Sequence, residues 1–257
     1  MTDVTGRTRA AVALSCALAL MGGGAARAAA APDQRPVRPI AAQTALGNER
    51  LSDEQRITRY ANAVLRSPVH TKPTKGSRTI AHLHFQTEDG PLEVYLVLES
   101  RRDARGRLWL RVRLPMRPNG RTGWVVREGL GELRAVTTKL RVNRTTLRAT
   151  LYRSGRRIWS SPIGVGTPST PTPAGRFWIR ERLRNLGGGT IYGPWAFGTA
   201  AYSVLSDWPG GGVVGIHGTN QPQLIPGRPS HGCVRVPNDA ITRLARLMPI
   251  GTPVQII

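Results

Sequence analysis

Ile216-His217-Gly218-Thr219-Asn220, followed nine residues later by Ser230-His231-Gly232-Cys233-Val234-Arg235-Val236-Pro237-Asn238, is the stretch on which the reading of this chain turns. It gathers two of five histidines and one of two cysteines within 17 residues. A free thiol has a pKa of about 8.5, and its thiolate is the attacking form. A neighbouring imidazole takes the proton and, once charged, stabilises the thiolate. His217 is the candidate base, because the 12 residues between it and Ser230 are enough to fold back and bring its ring to the sulfur. His231, two residues before Cys233, shapes the pocket with its ring or backbone, and Ser230 opens the same turn. Gly232 lets a substrate approach the backbone closely. The amides of Gly232 and Cys233 are candidate donors to an oxyanion. Arg235 is either placed for a substrate carboxylate or one more solvated arginine of a very basic chain. Asn238 either ties the loop down or caps the helix that follows.

Two other readings fit the same residues. His217, His231 and Cys233 make a three-ligand zinc set of the catalytic type, but no carboxylate or second cysteine stands beside them. An inert core thiol would have apolar flanks, whereas these are polar and glycine-rich.

Working outward, the last segments are mainly β. Leu140–Asn143, Thr146–Tyr152, Arg157–Trp159 and Val254–Ile257 read as strands. Asn238–Leu247 is the one segment with helical spacing, through Ile241, Leu244, Ala245 and Met248. Upstream, Ile80–Phe85, Glu93–Leu98, Arg107–Leu114 and Trp124–Val126 alternate or are dense in β-formers between glycine turns, which predicts a small barrel. Ser52-Asp53-Glu54-Gln55 has the form of a capping box, so a short helix is expected after it. His82 and His84 share a strand face and, with His70, are the remaining histidines; the spacing favours surface histidines over a metal site.

The N-terminus carries Arg7 and Arg9, an apolar run over residues 10–21 and then small residues to Ala31. This is the order of a secretory signal peptide, and 12 apolar residues fall short of the ~20 that span a bilayer. Export removes Cys16 and leaves Cys233 without an intramolecular partner in an oxidising compartment, where an unused thiol is a liability. The expected organisation is a signal peptide over 1–30, a flexible tether over 31–56, a β module over 57–133 and a second domain over 134–257. The formal charge is +22, with only three lysines (Lys72, Lys75, Lys139) among 37 basic residues. That charge suits polyanionic surroundings. Export excludes nucleic acid and leaves anionic cell-wall polymers and carboxylate-bearing peptides.

The His217 … Ser230-His-Gly-Cys233-Val-Arg235 arrangement resembles the L,D-transpeptidase (YkuD) catalytic domain. Ile163–Gly166, Thr172-Pro-Ala-Gly175-Arg-Phe177 and Tyr192-Gly-Pro-Trp195-Ala-Phe-Gly198 resemble further segments of that family, over about 120 residues from Ala135 to Ile257. Trp109–Pro115 and Gly120–Val125 resemble the end of bacterial SH3-like domains. The fold class expected is therefore mainly β, an SH3-like barrel followed by a YkuD-type β-sandwich with a late helix. The resemblance implies a cell-envelope enzyme with Cys233 as nucleophile and His217 as proton acceptor and donor. His231, Gly232 and Arg235 would be supporting residues, and Thr172, Pro173 and Gly175 would shape a turn. It further implies peptidoglycan stem peptides as substrates, 3→3 cross-links as products, inactivation by carbapenems, and neither metal nor organic cofactor. The alternatives are a hydrolase using the same acyl-enzyme and a non-catalytic basic wall-binding protein. Papain-like enzymes usually place Cys before His, the reverse of the order here, and sortases lack the Ser-His-Gly-Cys segment.

Overall fold

The computed structural model describes residues 47–184, 190–207 and 209–257. The signal peptide, Cys16 and most of the expected tether lie outside these residues. Among the described residues the chain is β with one helix. The strands are β1 (Glu49–Arg50), β2 (Thr58–Asn62), β3 (Pro68–His70), β4 (Thr79–His82), β5 (Val94–Arg102), β6 (Leu108–Arg113), β7 (Thr122–Val126), β8 (Arg134–Val136) and β9 (Thr138–Asn143). They continue with β10 (Arg148–Arg153), β11 (Arg156–Pro162), β12 (Gly164–Gly166), β13 (Gly175–Arg184), β14 (Trp195–Tyr202), β15 (Val213–His217), β16 (Gly227–Ser230), β17 (Val234–Arg235) and β18 (Pro253–Ile256). The helix α1 (Asn238–Leu247) falls where the apolar spacing predicts it.

The first sheet has the order β4-β3-β7-β6-β5-β2-β8, with β1 paired to β5. Residues expected to end the tether therefore begin this sheet: Glu49 and Arg50 pair with Ser100 and Glu99, and Leu51 is buried. The helix expected after Ser52 does not form. The Asp53 carboxylate instead accepts the amides of Gln55, Arg56 and Ile57 at 2.8–2.9 Å. Ser52 Oγ, the expected cap, donates to Val97 O and accepts from Arg59 N, so sheet pairing takes the segment over. β8 also pairs in the first sheet, on β2, and the second sheet starts at Thr138.

The second sheet runs β11-β10-β9-β18-β13-β14-β15-β17-β12-β16. The ten-residue β13 belongs to both halves. Gly175–Trp178 pair with β18, a register shift follows Ile179, and Glu181–Arg184 pair with β14. Such a shift bends a strand and lets one sheet fold onto itself as a sandwich. The core between the halves holds Leu140, Val142, Phe177, Ile179, Phe197, Val214, Ile216 and Val234. Ala240, Ile241, Leu244 and Ala245 of α1 close it, and the helix lies against β14.

The two sheets meet in a third apolar cluster of Val94, Leu96, Trp178 and Ala200, flanked by Tyr60 and Ile250. Polar contacts ring it. Trp178 Nε1 donates to Val94 O at 2.7 Å. The fully buried Arg180 pairs with the Glu93 carboxylate through Nε at 2.9 Å and through Nη2, and Nη2 also reaches Glu88 at 2.9 Å. Thr87 Oγ1 donates to the buried Glu181 carboxylate at 2.6 Å. Burial, with a push from Asp89, raises Glu181 to about 7 against the hydrogen bond from Thr87.

Candidate active site

β15 alternates. Val214 and Ile216 enter the core, so Gly215 and His217 share the opposite face. β17 lies parallel to β15, with Ile216 opposite Val234 and His217 opposite Arg235. Cys233, immediately before β17, is thereby carried to the face of Gly215. The Gly215 amide donates to Cys233 Sγ at 3.3 Å. A side chain on Gly215 would begin 3.6 Å from His217 Cδ2 and 3.7 Å from Cys233 Sγ. Imidazole and thiol thus flank the one position on β15 that has no side chain.

His217 is buried, and its Nδ1 lies 2.6 Å from Gly218 O. A carbonyl only accepts, so Nδ1 carries the proton and Nε2 presents a lone pair. The ring of Tyr192 meets it edge-on, with centroids 5.0 Å apart. Burial pulls His217 down to about 4, against the Gly218 hydrogen bond and with help from the Arg235 charge. Burial pushes the Cys233 thiol up, opposed by the Gly215 amide and by Arg235. Both shifts favour the neutral forms, thiol and imidazole. Arg235 is close enough to act on both, and its Nη1 donates to Gln221 at 2.8 Å. The loop from His217 to Ser230 does fold back, and this bond ties it down.

The turn before Cys233 is locked from inside. Ser230 Oγ donates to Cys233 O at 2.6 Å and accepts the Gly232 amide at 3.2 Å. The Gly232 amide, a candidate oxyanion donor, is engaged by Ser230 Oγ in this structure. Gly232 is required for its backbone, with φ at +125° and Ser203 Cβ 3.0 Å from where its side chain would start. His231, one residue away, is exposed. Asn238 does not cap α1, whose N-terminus has no side-chain cap. Its Oδ1 accepts the Thr219 amide at 2.8 Å and ties the end of β15 to the helix.

Three residues beyond the candidate set belong here. Thr172 Oγ1 donates to Gly232 O at 2.8 Å and accepts the Gly166 amide at 2.9 Å, so the Thr-Pro segment pins the cysteine turn as well as shaping its own. Tyr192 covers His217 because Gly193 sits against Gly218 and Asn238 too closely for any side chain. Gly215 supplies both the space and the amide for the thiol. Elsewhere, His82 and His84 are exposed, while His70 is buried with Nδ1 on Ser77 O and its ring edge-on to Trp109. Among the described residues no group of three or more His, Cys, Asp or Glu side chains is placed to hold a metal ion.

Residues 137–256 match the family model of the L,D-transpeptidase catalytic domain, YkuD. The match begins within one residue of β9 and ends with β18, so it covers the second sheet, α1 and the cysteine–histidine site. Bacillus subtilis YkuD, named as an L,D-transpeptidase, is 38% identical over 107 residues, 42% of this chain and 58% of that protein. Bacillus subtilis YqjB, named likewise, is 30% identical over 101 residues, 37% of this chain and 56% of that protein. The chain thus spans under two thirds of the length of these relatives. A solved mutant L,D-transpeptidase of Enterococcus faecium is 26% identical, covering 47% of this chain and 49% of its own, with a TM-score of 0.38. The L,D-transpeptidase-like region is accordingly residues 137–256, and the first sheet lies outside it.

Proposed function

We propose that this chain is an exported peptidoglycan L,D-transpeptidase that forms 3→3 cross-links through a thioester on Cys233. The observation that carries the reading is the placement of a neutral His217 and the Cys233 thiol around Gly215, inside the L,D-transpeptidase-like region. Cys233 Sγ loses its proton to His217 Nε2 and attacks the carbonyl of the third residue of a stem tetrapeptide. The C–N bond to the terminal D-alanine breaks, and the leaving amine takes the proton back from His217. An amine of a second stem then attacks the thioester, passes its proton to His217 and releases the thiol. The exchange is ping-pong and conserves acyl bond energy, which suits a compartment without ATP. With the Gly232 amide committed to Ser230, the Cys233 amide is the candidate oxyanion donor. Arg235, held beside both reacting groups, is the candidate for a substrate carboxylate. The excess of arginine supports an anionic wall as the setting, and the first sheet is the candidate SH3-like wall-binding module.

The test is mass spectrometry of the purified mature chain with disaccharide-tetrapeptide. Dimers lacking one D-alanine are expected, together with a thioester adduct that disappears in Cys233→Ala. Tripeptide without dimer would replace transfer by hydrolysis, and no thiol-dependent turnover would leave a binding protein. A carbapenem is expected to add its mass once to the wild type and not to Cys233→Ala.

A further inference from the structure

The loop joining β6 to β7 belongs to the first sheet, outside the L,D-transpeptidase-like region, yet it ends on the second. Arg117 Nη1 donates to Ser203 O at 2.6 Å, and Nη2 donates to Leu205 O and to Gly211 O, both at 2.9 Å. Its guanidinium lies 5.0 Å over the Tyr202 ring. Two residues on, Asn119 accepts the Tyr202 amide at 3.0 Å and donates to Tyr202 O at 2.8 Å, as a neighbouring strand would. The Tyr202 hydroxyl continues to Glu88 at 2.9 Å and Pro115 O at 3.0 Å. One loop therefore grips the end of β14 and both stems of the connection from β14 to β15.

Those stems border the reacting groups. Ser203 Cβ stands 3.0 Å from the side-chain position of Gly232, the residue before Cys233. The Ser203 amide donates to Gly212 O at 2.9 Å, and Gly212 leads directly into β15 with Gly215 and His217. A guanidinium is suited to this task, because its planar fork of five donors can hold carbonyls from two chain segments at fixed angles. A glycine-rich connection offers little of its own to fix the same spacing.

Resting on the acyl-transfer reading above, we propose that Arg117, with Asn119, is a positioning residue of the active site, through which the first sheet holds the cleft wall beside Cys233 in its substrate-accepting shape. The first sheet is then a working part of the enzyme in addition to any wall-binding role.

The test uses the full mature chain with Arg117→Lys, which keeps the charge and loses the fork, and Asn119→Ala, which removes only the two bonds to Tyr202. Hydrogen exchange at residues 203–205 and 211–214 is expected to rise about tenfold or more in either variant, with β5 and β6 unchanged. Acylation by the stem tetrapeptide is expected to fall about tenfold, chiefly through a higher KM. Alkylation of Cys233 by iodoacetamide, which needs the thiol but not the wall, is expected to stay within about twofold. Unchanged exchange at the stems overturns the clamp. Raised exchange with unchanged peptide acylation overturns its link to the site. If the wild type is not acylated by any tetrapeptide while iodoacetamide still reacts, the transpeptidase reading fails and the exchange result alone decides the clamp. Asn119→Ala decides the matter if Arg117→Lys does not fold.

Discussion

Thr172→Val removes one hydroxyl and almost no volume. That hydroxyl is the partner of both the Gly166 amide and the Gly232 carbonyl, and all three residues are buried. Valine leaves a donor and an acceptor unsatisfied, at about 1–3 kcal/mol each, so the loss should be about 2–4 kcal/mol once the chain relaxes. In a chain of this size 1 kcal/mol corresponds to roughly 2–4 °C, and a fall in Tm of about 4–16 °C is expected. The damage should not be confined to stability. Gly232 O is one of the anchors of the cysteine turn, so acylation of Cys233 at 20 °C, where the variant remains folded, should slow by about tenfold or more. Thr172→Ser keeps the hydroxyl and loses only a methyl, and should stay within about 1.5 kcal/mol with near-normal acylation. Thermal unfolding and carbapenem acylation of the three proteins side by side make the measurement. A valine variant within 2 °C of wild type with an unchanged rate would show that Thr172 does not hold the turn.

Gly215→Ala should fold normally and keep acylation within about threefold, because the new methyl meets His217 Cδ2 and Cys233 Sγ at ordinary contact distances of 3.6–3.7 Å; a fall of about tenfold or more would refute this account of the space between ring and thiol. His217, held down to about 4, stays neutral where an ordinary imidazole protonates, so acylation should keep its base through pH 5–6 and lose it only as pH falls through about 4; a loss centred near 6.5 would refute this. The same shift makes stability fall as pH drops from about 6.5 towards 4, because the unfolded chain binds the proton first, and His217→Gln should remove that slope in urea unfolding. Glu93→Gln strands much of the buried Arg180 charge between the sheets and should cost about 3 kcal/mol, read from urea unfolding; a cost under about 1 kcal/mol would mean that Glu88 alone satisfies Arg180.

Local pattern was legible where a contact is local. The spacing of Ile241 and Leu244 announced α1, and alternation around Leu110 and Val112 announced β6, because each depends only on which face a side chain takes. That His217 and Cys233 would come to lie around one strand position was legible for a related reason: a short return loop leaves few places for the ring. The pairing of residues 49–52 and the missing helix after Ser52 are not legible locally, because that segment is taken up by β5, more than 40 residues away. The engagement of the Gly232 amide by Ser230 Oγ is not legible in the sequence, because a serine two residues away can turn its hydroxyl to solvent or to the turn with equal ease.

Glycine was the least transparent residue type, and the reason is physical. In sequence a glycine reads as a turn, since that is the commonest need for its backbone freedom. In the structure several glycines matter for the side chain they lack. Gly198 lies in β14, and a side chain there would start 2.1 Å from a Glu181 carboxylate oxygen, so the strand leaves that position empty for a buried acid. Gly218 makes the same room for Asn238, and a side chain at Gly215 would start in contact with the thiol, 3.7 Å away. Each vacancy is shaped by a partner 17 to 20 residues away across a sheet or turn, so no local window contains both halves of the reason. The Gly215 vacancy is the instructive one. β15 needs a residue there that completes the strand, donates its amide to sulfur and admits a ring and a thiol on the same face. An alanine methyl would still meet ring and thiol at ordinary contact distances, whereas a longer side chain would have to pass between them, which is why a small residue stands in this strand interior.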